Sequence, residues 1–247
     1  MKLTLAEPRY LKESINVISE LVTEAKFKIN SNGIELVAMD PANVAMVIFK
    51  LLSSCFVEYD VQEELEIGVN LSSFRQILRR AKSEDILTLE VVDQNKLTLI
   101  LKSRTTRKFS IPVLKMEEKD QKIPELAFPV IVETYTNVLA EAIEDIGIVS
   151  ESISFTCEAD KLNIAGEGNM SKAQVEIIQD EDTKISNDNH ESVRSKYSIE
   201  YLKKMVGGSK ISERVTLLMD KDYPMRLDFK EVDKVQLSFI LAPRVED

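Results

Sequence analysis

Strict alternation of apolar and polar side chains runs through most of this chain, and it constrains the fold more than any other feature. The stretch "AKFKINSNGIELVAMD" sets Phe27 and Ile29 on one face of a strand, turns at residues 31–33, and sets Ile34, Leu36 and Ala38 on one face of the next. Asn-Gly between two such runs is a strong hairpin signal, because the turn needs residues that tolerate left-handed backbone. The pattern continues in "VAMVIFKLL", "CFVEYDV", "LEIGVN", "DILTLEVV", "KLTLILKS" and "TRKFSIPVL". It returns in "FPVIVET", "SISFTCEA", "KLNIAGEG", "AQVEIIQ", "ERVTLLM", "PMRLDF" and "VQLSFILAP". A period of two puts alternate side chains on one face, so such a chain must bury one side of extensive antiparallel sheet.

Four segments break the alternation with helical spacing: 9–22, 71–82, 136–148 and 198–206. Each is followed by strand, turn and strand. "SSFRQILRRAKSEDILTLEVVDQNKLTLIL" and "YSIEYLKKMVGGSKISERVTLLMDKDYPMRLDF" share the order helix, polar break, acid, strand, turn, strand, which reads as an internal repeat. With 247 residues, the chain divides into domains at 1–116 and 129–247, joined by a connecting segment at 117–128. Pro124 and Pro129 bar a regular helix or central strand there, while Ile123, Leu126 and Phe128 give its end something to bury. The acidic, unpatterned stretch 179–192 reads as an exposed loop.

A helix turns about 100° per residue, which sorts its side chains by face. In the first, Leu11, Ile15, Ile18 and Val22 form the apolar arc. In the second, Phe74, Ile77, Leu78 and Ala81 do so, leaving Arg75, Gln76, Arg79 and Arg80 opposite. The third buries Val138, Leu139, Ala142, Ile143 and Ile146 and shows Glu141, Glu144 and Asp145. The fourth buries Tyr201, Leu202, Met205 and Val206 and shows Lys203 and Lys204, with Lys210 just beyond. Surface charges ordinarily come mixed in sign. Four cations (Arg75, Arg79, Arg80, Lys82) precede the first acid, Glu84, in a chain of formal charge -10. That overall charge repels nucleic acid at long range, so any contact with phosphates is local. The absence of interleaved aromatics points to the sugar-phosphate backbone rather than to base sequence.

Catalytic and metal chemistry find little support. The single histidine, His190, lies in the polar stretch, and "GEG" at 166–168 lacks the length and strand-to-helix setting of a phosphate loop. No metal-ligand spacing occurs, and neither a metal nor a cofactor is expected. Cys55 and Cys157 read as buried thiols in strands. No apolar run reaches the roughly 20 residues of a membrane span, and "MKLTLAEPRY" lacks a signal-peptide profile, so an intracellular protein is expected.

"GVNLSSFRQILRRA", "VAMDPANVAMV", "YSIEYLKKM" and "LAPRVED" together resemble the proliferating cell nuclear antigen family of DNA sliding clamps, especially its archaeal type. The likeness runs from Lys2 to Asp247. It implies an α+β protein of two similar clamp-fold domains, each with antiparallel sheets outside and two helices on the inner face. Three such subunits, identical or close paralogues, would close head to tail around duplex DNA without regard to sequence. By analogy the DNA-facing residues are Lys12, Arg75, Arg79, Arg80, Lys82, Lys203, Lys204 and Lys210; the acidic third helix departs from that pattern. The joint would pair residues 106–114 with 170–178, using Phe109, Ile111, Val175 and Ile177 with Arg107, Lys108 and Glu176; the alternative is that these strands are internal to one sheet. DNA polymerase, clamp loader, flap nuclease and ligase would bind by a short peptide whose plug enters a pocket formed by Met39, Val44, Ile123, Pro124, Leu126, Phe128, Pro224, Ile240, Ala242 and Pro243. No enzyme activity and no membrane partner are implied, and an archaeal member would be cytoplasmic and nucleoid-associated. The competing reading is an oligomeric scaffold of the same fold that does not retain DNA.

Overall fold

A computed structural model describes residues 1–92, 95–116, 121–188 and 192–244. The chain divides into two compact units: Met1–Pro41, Val47–Ile123 and Glu231–Leu237 form the first, and Ala42–Met46, Pro124–Lys230 and Ser238–Asp247 the second. His190 and the end of "LAPRVED" lie outside the described residues, as do residues 117–120 of the connecting segment.

The elements in chain order are β1 (Lys2–Leu5), α1 (Arg9–Ile18), β2 (Glu24–Asn30), β3 (Gly33–Met39), β4 (Ala45–Leu52), β5 (Glu58–Asp60), β6 (Leu65–Asn70), α2 (Leu71–Leu78), β7 (Ile86–Val91), β8 (Lys96–Lys102), β9 (Thr106–Pro112), β10 (Val130–Tyr135), α3 (Thr136–Ile146), β11 (Ser152–Cys157), β12 (Lys161–Glu167), β13 (Lys172–Ile178), β14 (Lys184–Asn187), β15 (Val193–Ser198), α4 (Ile199–Met205), β16 (Arg214–Met219), β17 (Met225–Glu231) and β18 (Val235–Leu241). Short 3-10 turns occupy Ser53–Cys55 and Val206–Lys210.

In the first unit five strands form an antiparallel sheet in the order β5-β1-β7-β8-β9, and β2 pairs with both β3 and β6. In the second, β13-β12-β11-β15 form a four-stranded antiparallel sheet, and β10 lies between β14 and β16. The alternating residues are buried as the pattern requires: Phe27, Ile29, Ile34 and Leu36 in the hairpin, and Leu87, Leu89, Leu97, Leu99 and Leu101 in β7 and β8. The α+β class and the repeated order of elements thus follow from the sequence.

The helices are shorter than their apolar spacing suggests, for a common reason. At the end of α1 the chain tightens to i→i+3 bonds (Glu20 N–H to Val17 O, 3.1 Å; Leu21 N–H to Ile18 O, 3.0 Å), and Ala81 N–H donates to Leu78 O at 3.0 Å after α2. A tightened turn keeps Val22 and Ala81 on the buried side after the α-helix has stopped. After α4 the 3-10 turn does the same for Val206. The start of α2 is fixed by Asn70, whose side chain accepts the Ser73 N–H at 2.9 Å.

Two expectations are corrected. Residues 179–192 are not wholly a loop: β14 pairs with β10, burying Ile185 and Asn187, and buried Thr183 meets Thr134 at 2.9 Å. The acids at 180–182 and 188, with Lys184, mask this short edge strand in the sequence. Cys55 is only half-buried, at the end of a 3-10 turn with its Sγ 3.2 Å from Lys234 O, whereas Cys157 is buried as expected. Both thiol pKa values are raised by burial, that of Cys157 to about 11.

Gly33 opens β3 with φ of 149°, and a Cβ there would sit 2.2 Å from Leu51 O. Gly33→Ala should therefore cost about 1–3 kcal/mol of stability, read as a lower midpoint in chemical denaturation; an unchanged midpoint would refute this account of the hairpin.

Candidate nucleic-acid interface

In the first unit α1 packs against α2, and α2 also touches β2, β6 and β9. Burial of Leu11, Ile15, Ile18, Leu71, Phe74 and Leu78 turns the polar side of the pair to solvent; Phe74 closes edge-on against Phe27 with ring centres 6.1 Å apart. Ile77, assigned to the apolar arc, is only half-buried.

The five candidate cations of this unit divide into two groups. Lys12 Nζ donates to Ala81 O at 2.9 Å, satisfying a carbonyl past the end of α2. Arg75 is partly buried; its Nη1 lies 2.6 Å from Glu20 Oε1 and 3.2 Å from Ser19 Oγ. These two side chains join α1 to α2. Arg79, Arg80 and Lys82 are exposed, and among the described residues their side chains make no ion pair. They stand at the C-cap of α2 (Arg79) and just past it, where the helix dipole favours positive charge.

Asp85 organises this end of the helix, and its role was not singled out in the sequence. It is fully buried, and its Oδ2 accepts the Lys82 N–H at 2.7 Å. The same oxygen accepts a short hydrogen bond from Arg107 Nη2, while Arg107 Nη1 donates to Arg80 O at 3.0 Å. Arg107 belongs to β9, so one carboxylate holds the edge strand to the helix end that carries the three exposed cations. The Lys82 N–H and the Arg107 guanidinium hold the Asp85 carboxyl down at about 2. The acid that follows the polar break in the first copy of the repeat was the available signal.

In the second unit α3 packs against α4 and the following 3-10 turn. Leu139, Ala142, Ile143, Ile146, Leu202 and Met205 are buried, and Val138 and Tyr201 are half-buried. Glu141, Glu144 and Asp145 are exposed, as expected. Lys203 Nζ pairs with Glu144 Oε2 at 2.9 Å, and Lys204 Nζ pairs with Glu200 Oε1 at 2.7 Å while lying over the Tyr201 ring. The Lys204 contact holds the Glu200 pKa below its ordinary value. Lys210 is exposed at the end of the 3-10 turn. The two units therefore differ. Among the described residues, three cations of the first make no ion pair, whereas two lysines of the second already have carboxylate partners.

The candidate joint strands are both edges of their sheets: β9 pairs with β8 and β13 with β12. Position by position they share one burial pattern, with Phe109 and Val175 half-buried and Ile111 and Ile177 buried. Arg107 is committed to Asp85, and Glu176 lies 3.4 Å from Lys161; Lys108 is exposed. Of the candidate peptide-pocket residues in the second unit, Val44, Leu126, Phe128, Pro224, Ala242 and Pro243 are half-buried, Pro124 is exposed and Ile240 is buried. Ala242 N–H donates to Val44 O at 2.9 Å, and Phe128 meets Tyr223 edge-on at 5.9 Å. Met39 and Ile123 fall in the first unit, the former half-buried and the latter exposed.

The family models described as "Proliferating cell nuclear antigen, N-terminal domain" and "C-terminal domain" match residues 1–123 and 122–244. The chain belongs to the proliferating cell nuclear antigen family. It is 34% identical over 247 residues to a DNA polymerase sliding clamp of Nanoarchaeum equitans, covering 99% of both chains. A DNA polymerase sliding clamp of Thermococcus gammatolerans is 35% identical over 233 residues, 94% of each. The crystal structure of PCNA from Thermococcus kodakaraensis superposes with a TM-score of 0.92 at 26% identity, covering 98% of this chain and 99% of that one. The resemblance seen in the four sequence strings is thereby established over nearly the whole chain, and the clamp fold with it.

Within this clamp-family chain, acid should loosen the Asp85 junction. Its folded-state pKa of about 2 lies below the ordinary 3.8, so its stabilisation is complete above about pH 4 and disappears as pH falls toward 2. Asp85→Asn should lower stability by about 1–3 kcal/mol at pH 7, because Arg107 loses its charged partner. The variant should also lose less stability than the parent between pH 5 and pH 3. Equal acid slopes in thermal melts would contradict the assignment.

Proposed function

We propose that the chain is a sliding clamp subunit: three copies, or this chain with close paralogues, join head to tail into a ring around duplex DNA and hold replication and repair enzymes there. The observation that carries this reading is the set of exposed cations Arg79, Arg80 and Lys82 at and just past the C-terminal end of α2, which make no ion pair among the described residues, in a chain whose relatives are DNA polymerase sliding clamps. Small groups of Arg and Lys on a rigid helix suit phosphates and ignore base sequence. Lys12, Arg75, Lys203, Lys204 and Lys210 complete the proposed inner set. Exposed ion pairs such as Lys203–Glu144 are worth only about 0–1 kcal/mol, so a phosphate can replace the carboxylate. Topological retention removes the need for tight contacts, and weak, salt-screened ones permit sliding.

The proposed joint pairs β9 with β13 of the next subunit through Arg107, Lys108, Phe109 and Ile111 on one side and Val175, Glu176 and Ile177 on the other. Two different edges meeting head to tail form a heterologous interface, which closes only when the rotation per subunit completes a circle. Residues 117–128 serve as the connecting segment. Met39, Val44, Ile123, Pro124, Leu126, Phe128, Pro224, Ile240, Ala242 and Pro243 form the seat for a helical plug on polymerase, clamp loader, flap nuclease or ligase. No reaction is assigned to the ring, which is intracellular and, in an archaeal cell, nucleoid-associated.

The triple variant Arg79→Ala/Arg80→Ala/Lys82→Ala should keep the parent's oligomeric mass by light scattering while binding duplex DNA more weakly. Its slope of log affinity against log salt should shrink by about 1 for each phosphate that the variant no longer neutralises. Unchanged affinity and slope at low salt would refute the inner-face assignment.

A further inference from the structure

The outer side of the second unit carries a cationic cleft that the proposed DNA contacts leave unused. In β12, Gly166 lies against Ile146 of α3, so the alternating positions Leu162, Ile164 and Gly166 face the helices. The strand register sets Phe155 and Ser195 beside Ile164, and Thr156 and Arg194 beside Asn163. Arg194 and Lys196 consequently share the face turned away from α3 and α4.

Two backbone bonds assemble the cleft on the free edge of β15. Asp222, in left-handed backbone with φ of 48°, donates its N–H to Arg194 O at 3.3 Å, and Arg244 N–H donates to Lys196 O at 2.7 Å. Tyr197 Oη donates to Tyr223 O at 2.8 Å and holds the adjoining turn against the strand. Arg194, Lys196, Lys221 and Arg244 are thus gathered with Asp222 and Pro243 around a space of about 440 Å³. A neighbouring cleft of about 370 Å³ on the same sheet face shares Arg194 and Lys196 and continues past Ser154 and Gln174 to the Lys172–Glu167 ion pair.

We propose that this cleft receives the carboxylates of an acidic segment flanking the apolar plug of a partner peptide. The inference rests on the peptide-binding reading above, because Pro243 belongs both to the cleft and to the proposed plug seat. Among the described residues lining the cleft of about 440 Å³, four are cationic and one is acidic, a balance that favours an anionic ligand. The face opposite the helices, and the presence of Asp222 among the cations, favour spaced carboxylates over a continuous line of phosphates.

The test uses two labelled 16-residue peptides with the same amphipathic helical turn ending in two aromatic residues. One is flanked on both sides by Asp and Glu, the other by Asn and Gln, and each is titrated with the full chain at low and moderate salt. The acidic peptide should bind about fivefold tighter at low salt, and moderate salt should remove the difference. Arg194→Glu/Arg244→Glu should abolish that preference without weakening the neutral peptide, and Lys221→Glu, on an exposed turn, should reduce it. If the neutral peptide binds but the acidic one gains nothing, or the variants treat both alike, the cleft assignment is wrong and the plug seat stands. If neither peptide binds, both fall. If the charge reversals instead weaken duplex binding and spare the peptide preference, the cleft contacts DNA and the proposal fails.

Discussion

Burial of the apolar arcs of four short helices against antiparallel sheet is the constraint on which the rest depends. Once Leu11, Ile15 and Ile18 are committed with Phe74 and Leu78, and Leu139, Ile143 and Ile146 with Leu202 and Met205, the helices have only one side left to show. The hydrophobic effect does not choose what is displayed there, but it fixes where the display is held. A side chain at the end of a packed helix is placed more firmly than one on a free loop, which suits the proposed contact with a regularly spaced polyanion.

The two units use this common frame differently. In the first, Asp85 and Arg107 hold the end of α2, Glu20 secures Arg75, and Arg79, Arg80 and Lys82 make no ion pair among the described residues. In the second, Glu144 and Glu200 take up Lys203 and Lys204. Phosphates would meet ready cations on one unit and would have to displace carboxylates on the other. The Asp85–Arg107 pair also links two proposed functions, since it fastens the joint strand β9 to the helix end proposed to face DNA.

Much of this was legible in the sequence, and the reasons are local. The hairpin of β2 and β3 announced itself through alternating Phe27, Ile29, Ile34 and Leu36 around Asn-Gly. The helix faces followed from spacing, apart from Ile77, Val138 and Tyr201, whose partial exposure reflects positions at the rim of each arc. Helix ends were overrun because Val22 and Ala81 remain buried in tightened turns that keep the apolar spacing. Strand β14 was hidden because charged neighbours outweigh its Ile185 in any short window. Pairing was the least accessible feature: nothing in the spacing of Arg75 indicates that Glu20, 55 positions earlier, will hold it, nor does Arg107 indicate Asp85. Side chains brought together by tertiary packing leave no periodic trace.

Encirclement of duplex DNA is the claim that gives every other proposed contact its role. The most direct measurement loads the protein onto nicked circular DNA with a clamp loader, then follows retention through gel filtration before and after a single restriction cut. A closed ring predicts that protein stays with the circle at moderate salt and runs off once the DNA is linear with free ends. Equal retention on circle and line, or none on either, would contradict it.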